Sequence, residues 1–420
     1  MKKKNRLKTT KDSRYCLCVV PMHIFMIIFL IISAILVGCE NRNRNGFSTH
    51  HISDSSKIYF IDFEQNLKNT LPDTGNINSI SKNIRFIFLE VTPKSLLSNV
   101  DFMVAEIDKN YYVSSFVSST FSGILEFDSM GRFKNYLVQI GRGPKELPRM
   151  LDWSYNNNMQ QIVATSGYEL LLHSFERNAA NKYSLPEFFA RGCLLNDGSI
   201  VGLPYPFGIG ATDVPYLSFL NQEGILIKSL FYPQKRDISF NLVESQGDTG
   251  PLEAYGLYPD YSGNALFKDV FNDTIYRITS MDDVKPYIVL NRGLLTPKVK
   301  DATDRRAKSG TIIVRGIIET EKYFFIKYAY KDVTCSAIWD KHNLTLIANS
   351  VANNSNEHLT VINNKGFIKY RTPNEKEILI GISSYSDGKL YCVLRADQAM
   401  DFLPNVDEYD NPILMVIDLK

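Results

Sequence analysis

A strand–turn–strand unit that recurs along the chain constrains its fold more than any other feature. Ile124-Leu125-Glu126-Phe127 runs into Asp128-Ser129-Met130-Gly131 and returns through Arg132-Phe133-Lys134. Leu217-Ser218-Phe219-Leu220 does the same through Asn221-Gln222-Glu223-Gly224 into Ile225-Leu226-Ile227, and Ala337-Ile338-Trp339 through Asp340-Lys341-His342-Asn343 into Leu344-Thr345-Leu346. Weaker copies pass through His173-Ser174-Phe175-Glu176 and Tyr276-Arg277-Ile278-Thr279. The turns start about 48, 45, 58 and 61 residues apart, the size of a four-stranded propeller blade. Gly131, Gly224 and Asn343 suit the positive φ that such hairpins need.

The intervening sequence is made of short β-branched and aromatic runs, such as Ile84–Leu89, Tyr323–Tyr328 and Ile413–Ile417. Helical spacing is confined to the polar stretch Lys298–Lys308, which predicts at most a short surface helix. Five turns and a closing blade predict an all-β, six-bladed β-propeller over residues 58–420. A β-sandwich with irregular loops competes, but the length and the blade-sized period disfavour it. The last strand, within Asn411–Leu419, needs a partner from the start of the chain, either 58–63 or 83–90.

Ahead of this region, seven basic residues precede an apolar stretch, Ile24–Val37, that ends in Leu36-Val37-Gly38-Cys39. The stretch has the length of a signal-peptide core and is short for a membrane span of roughly 20 residues. A small residue before a cysteine resembles a bacterial lipoprotein signal, cut before Cys39. Residues 1–38 then form a lipoprotein signal peptide, and residues 39–57 a lipidated cysteine with a polar, flexible tether. An uncleaved anchor starting at Tyr15 is the competing reading.

Cleavage would leave 40 basic and 44 acidic residues, so the basic character belongs to the leader and nucleic-acid binding is disfavoured. It would also leave Cys193, Cys335 and Cys392, all in apolar runs that read as buried thiols, with one disulfide open among them. The expected partner at this end is the membrane, through the lipid. The expected place is the outer membrane, where the lone Glu40 before Asn41-Arg42-Asn43-Arg44 favours the periplasmic face over the cell surface.

Three segments resemble a known family. Gln139-Ile140-Gly141-Arg142-Gly143-Pro144-Lys145-Glu146 is similar to a G-x-G-P-G-E signature, with Lys145 in place of glycine. Lys268–Arg277 is similar to an F-N-D-T-I/V-Y strand start, and Asp410–Met415 to a D-N-P-V-L terminal strand. Together they resemble the six-bladed β-propeller lipoproteins of unknown function from Gram-negative gut bacteria, distantly similar to NHL and TolB-type propellers. The resemblance implies a fold and an address, and no activity.

The chemistry-bearing motifs are sparse. Gly141-Arg142-Gly143-Pro144 lacks the GK[ST] and the following helix of a phosphate loop, although Arg142 and Lys145 are candidate ligand contacts. Tyr258-Pro259-Asp260-Tyr261 and Pro204-Tyr205-Pro206-Phe207 are aromatic loops, which makes Tyr258 and Tyr261 candidates for stacking on sugars or peptides. The acidic run Asn405–Asn411 carries calcium-type donors without EF-hand order, so no metal is expected. Asp273-Thr274-Ile275 and Asp128-Ser129-Met130 match an acidic-Ser/Thr-apolar glycosylation triplet.

His50, His51, His173, His342 and His358 form no catalytic motif, and no cofactor is implied. The expected function is a lipid-anchored binding or scaffold module for a glycan, peptide or envelope protein. The alternative is an envelope glycoside hydrolase or lyase, with carboxylates gathered on the propeller axis. Cys39→Ser is expected to abolish lipid labelling and processing; a variant still cleaved and still sedimenting with membranes would overturn the lipoprotein reading.

Overall fold

Short apolar runs ended by Asp- or Asn-led turns can bury both faces by stacking sheet on sheet. The computed structural model shows this arrangement, and describes residues 57–67, 74–98, 102–117, 120–204, 215–231, 255–269, 271–298, 310–331, 333–352 and 365–420. The leader, Cys39, most of the Lys298–Lys308 stretch and Tyr205–Phe207 lie outside the described residues.

Among the described residues there are 27 strands. β1 (Tyr59–Asp62) and β2 (Ser81–Ile87) come first. β3 (Phe102–Ile107), β4 (Asn110–Val117), β5 (Thr120–Phe121), β6 (Ile124–Phe127), β7 (Phe133–Ile140) and β8 (Glu146–Leu147) form the first sheet. β9 (Asp152–Asn156), β10 (Gln161–Thr165), β11 (Gly167–Ser174), β12 (Ala179–Leu194), β13 (Ile200–Pro204), β14 (Leu217–Leu220) and β15 (Leu226–Leu230) form the second. The third holds β16 (Tyr255–Pro259), β17 (Ala265–Asp269), β18 (Thr274–Ser280) and β19 (Asp283–Asn291). The fourth holds β20 (Ile313–Glu319), β21 (Tyr323–Tyr330), β22 (Val333–Asp340) and β23 (Leu346–Ala352). The fifth holds β24 (Gly366–Arg371), β25 (Glu377–Ser386), β26 (Lys389–Leu394) and β27 (Ile413–Leu419).

The second sheet has seven strands because β12 is 16 residues long and shifts register between Phe189 and Arg191. Its first half pairs with β11 and its second with β13, so two runs share one ladder. Inner strands pack side by side: β16 on β9, β12 and β20, β20 on β24 and β25, and β25 on β3. The result is a β-propeller arrangement.

Apolar clusters fill each joint. Leu147, Met150 and Ile162 lie between the first and second sheets, and Val201, Phe219 and Phe267 between the second and third. Leu266, Ile288 and Tyr328 follow between the third and fourth, Ile338, Ile380 and Ile417 between the fourth and fifth, and Val393, Leu414 and Val113 between the fifth and first.

Chain closure uses the later of the two expected segments. β2 pairs antiparallel with β27, from Ser81↔Leu419 to Ile87↔Leu414. Residues 58–63 do otherwise. β1 adds in parallel to β19, from Tyr59↔Ile288 to Asp62↔Asn291, with Tyr59 and Ile61 turned inward and Phe60 outward.

The recurring turns join the third strand of a run to the fourth. Asp128 Oδ1 accepts from the N–H groups of Met130 and Arg132, and Asn221 Oδ1 from those of Glu223 and Ile225. Gly131 has φ +82°, and a Cβ there would sit 2.1 Å from the Phe88 carbonyl oxygen, so glycine is required. The third turn departs from expectation: φ is +55° at Leu344, not at Asn343. That turn closes one residue later, with Leu344 N–H bonded to the Asp340 carbonyl. Cys193, Cys335 and Cys392 are buried thiols, with no disulfide among the described residues.

Ile417 is fully buried in the closing strand. Ile417→Ala should therefore cost about 2–5 kcal/mol in urea unfolding. A loss below about 1 kcal/mol would show that this strand does not close the core.

Candidate functional site

Amide side chains lace together hairpin turns from separate sheets. Asn156 Nδ2 donates to the Gly263 carbonyl at 2.9 Å and to that of Leu194 at 2.9 Å. Asn158 Nδ2 donates to Asn196 Oδ1 at 3.0 Å and the Ser262 carbonyl at 2.9 Å, and Asn196 Nδ2 reaches the same carbonyl at 2.7 Å. Asn157 Nδ2 spans to Asp387 Oδ1 at 2.7 Å. Turns from the second, third and fifth sheets are thereby fixed to one another.

Beneath them lies a cavity of about 90 Å³. Its walls are the inner strands: Met103–Ala105 of β3, Trp153–Tyr155 of β9, Pro259 of β16 and Ser383–Ser386 of β25. Asn157, Asn158, Tyr261, Gly263 and Asp387 form the turn-side rim, and Lys365 completes the lining. Ser383 Oγ donates to the Phe102 carbonyl at 2.8 Å and Ser384 Oγ to that of Val104 at 2.5 Å, which holds β25 against β3.

One wall is backed by a buried charged network at the joint of the third and fourth sheets. Asp260 Oδ1 accepts from Ser262 N–H and Asn264 N–H at 2.8 Å each, and Asp260 Oδ2 takes Arg277 Nε at 2.7 Å. Arg277 lies over the Tyr287 ring at 4.6 Å. Burial works against the Arg277 charge, but Asp260, Tyr287 and Glu319 hold its pKa above the ordinary value. Tyr287 donates to Glu319 Oε1 at 2.5 Å, and Lys341 Nζ reaches the same oxygen at 2.7 Å. The Lys341 ammonium also sits 4.4 Å from the Tyr261 ring centroid.

Glu319 is only 2% exposed, and its Oε2 is buried without a hydrogen bond among the described residues. Burial pushes its carboxyl pKa up, opposed by Lys341. Sequence spacing shows no trace of this network, whose members span residues 260 to 341.

The sequence candidates scatter. Tyr261 lines the cavity rim. Tyr258, three residues earlier, is buried, with its hydroxyl bonded to the Arg315 carbonyl at 2.8 Å and Arg191 over its ring. Arg142 and Lys145 are exposed on the connection from β7 to β9, away from the cavity lining. That loop folds around Glu146, whose carboxylate accepts the Gly143 N–H at 2.8 Å, while Lys182 Nζ grips the Gly143 and Glu146 carbonyls.

In the acidic run, Asp407 and Asp410 serve local turn bonds. Asn411 is a buried staple: its Oδ1 accepts Leu97 N–H and its Nδ2 reaches the Glu90 and Ser95 carbonyls, each at 2.8 Å. No metal-type cluster occurs among the described residues, and no helix among them is long and apolar enough to cross a membrane. In the glycosylation triplets, Thr274 starts β18 and Ser129 sits in an exposed turn.

A family model described as Domain of unknown function (DUF4934) matches residues 58–418. The chain belongs to the DUF4934 family. This DUF4934 member matches no curated protein. Among solved structures it is similar to a Bacteroides fragilis protein described as exported, at 18% identity and TM-score 0.59, over 87% of this chain and 100% of that one. A DUF4221 member from Bacteroides vulgatus aligns at 12% identity and TM-score 0.47, over 81% and 97% of the two chains. Virginiamycin B lyase from Staphylococcus aureus aligns at 9% identity and TM-score 0.41, over 80% and 99%. The first of these supports the fold assigned to the DUF4934 chain.

Removing Lys341 would leave Glu319 buried without its counter-ion. Lys341→Met should destabilise the protein by about 3–5 kcal/mol at neutral pH in chemical denaturation. In that variant the folded pKa of Glu319 stands further above its unfolded value. The penalty is therefore full above the folded pKa and disappears as pH falls through it toward the unfolded one. Adding Glu319→Gln should restore much of the loss; additive losses in the double variant would show that the two do not act as a pair.

Proposed function

We propose that this DUF4934 member is a lipid-anchored envelope binding module that takes the tip of a saccharide into its axial cavity. One observation carries the proposal: a cavity walled by inner strands of separate sheets and lined by tyrosines and amides. Tyr155, Tyr261 and Tyr385 put aromatic rings with polar edges into its lining, beside the Asn157 and Asn158 amides, whose donors are engaged by Asp387, Asn196 and the Ser262 carbonyl. This mixture suits the apolar face and hydroxyl rim of a sugar ring. At about 90 Å³ the cavity is well below the several hundred Å³ of a site that buries a whole small molecule. It fits a protruding group, with the ring of the sugar left against the rim.

The hydrolase reading has weaker support. Its two pocket carboxylates differ from an acid and nucleophile pair: Asp260 is tied to Arg277 and its own turn, and Asp387 is exposed and bonded to Asn157. The carboxyl raised by burial, Glu319, is outside the cavity lining.

The lipid anchor on Cys39 and the outer-membrane address, on the periplasmic face, belong to the same proposal. They rest on the Leu36–Cys39 sequence and accord with the exported description of the B. fragilis protein. Six blades belong to it as well. β12 supplies the outer strand of one blade and the inner strand of the next, and β2 completes a blade with β27, β26 and the second half of β25.

Ser386→Trp would fill the cavity from its lining. The full chain in mild detergent should bind oligosaccharides from a printed array, and the variant should lose that binding while keeping its circular dichroism spectrum. Undiminished binding by a folded variant would place the site elsewhere.

A further inference from the structure

We propose that the axial cavity is selective for acidic saccharides, with the Lys365 ammonium receiving the carboxylate of a uronic-acid residue. This deepens the binding reading above and rests on it. Lys365 lines the cavity at the level of the strands rather than the turns, since its carbonyl oxygen lies against Gly316 inside β20. It is half-buried, and among the described residues no hydrogen bond or ion pair engages its ammonium.

A lysine in a cavity lining with no counter-ion is free to take one from a ligand that brings an anion. The other charged side chains of the lining are already engaged. Asp260 is neutralised by Arg277 at 2.7 Å, and Asp387 stands exposed at the rim with Asn157 bonded to it. Among the described lining residues Lys365 is the one cation. A cavity of about 90 Å³ holds roughly three water volumes, enough for a carboxylate and too little for a sugar ring. A lysine provides a point charge without the fork that favours larger planar or tetrahedral oxyanions. The ring carrying the carboxylate then meets Tyr261 at the rim and Tyr385 on the wall.

The test is calorimetric titration of the full chain in mild detergent with uronic-acid oligosaccharides, their carboxyl-reduced counterparts and sulfated neutral oligosaccharides. The uronates should bind at least about tenfold more tightly than the reduced forms. Lys365→Met should erase that difference with the melting temperature unchanged, and Lys365→Arg should keep part of it. The inference fails if Lys365→Met and wild type discriminate equally, or if the sulfated series binds best. Binding of reduced and uronate forms alike by wild type would sink the acidic selectivity and keep the saccharide reading. No binding of any series would sink both.

Discussion

The pairing of β2 with β27 is the constraint on which the rest of the molecule depends. It joins residues 81–87 to residues 413–419 and so converts a row of stacked sheets into a ring. Without it, the edge of β27 would lie open and Met415 and Ile417 would lose part of their cover. Bringing together segments so far apart costs chain entropy, though that cost grows only slowly with loop length. The return is collective, because each joint is packed only when its neighbours on both sides are in place. The cavity inherits this dependence. Its walls include Met103 just after the closing segment and Tyr385 near the other end of the chain, so its shape exists only in the closed ring.

Apolar clusters supply the bulk of the joints, but polar ties fix how one sheet meets the next. Trp153 Nε1 donates to Ser114 Oγ at 2.6 Å between the first and second sheets. Lys389 and Tyr391 both reach Glu106 between the fifth and first. Lys268 donates to the Val314 carbonyl and Tyr258 to that of Arg315 between the third and fourth. A leucine surface would tolerate sliding; a buried donor that must find one carbonyl does not, since an unmade bond costs about 1–3 kcal/mol. The Glu319 network is the extreme case. Its burial opposes ionisation; Lys341, from the same sheet, offsets that cost, and Tyr287 adds its bond only at one relative position of the third and fourth sheets.

The fold was legible because its determinants are local. Asp128, Asn221 and Asp340 each organise a turn with their own side chain, and Gly131 is dictated by the Phe88 carbonyl close beside it. The period of these turns carries the propeller. The failures were also local: a one-residue difference in turn length moved positive φ from Asn343 to Leu344. The cavity was mostly hidden, because its residues come from inner strands scattered over the chain and their order in sequence says nothing about the axis. Tyr258 and Tyr261 look equivalent in sequence, yet the strand ends between them, so one packs inside and the other reaches the rim. Asn411 reads as a turn residue, and its three tertiary hydrogen bonds have no sequence mark. Lys365 sits in the ordinary polar run Asn363-Asn364-Lys365-Gly366 and acquires meaning only from its surroundings.

The rigidity of the rim bears on what kind of recognition the cavity can perform. Asn156, Asn158 and Asn196 have their donors engaged by neighbouring turns, so the rim cannot remodel without breaking several hydrogen bonds at once. A site of this kind loses little entropy on binding and adapts poorly to a ligand of the wrong shape. Discrimination then falls to the few groups that remain available: the tyrosine faces at the rim and the charge below them. Shape alone separates ligands that differ by a small apolar group only weakly, whereas a polar group left without its partner separates them strongly. On the saccharide reading proposed above, a single half-buried ammonium in a cavity this small outweighs the many contacts around it in deciding which ligand tip is accepted.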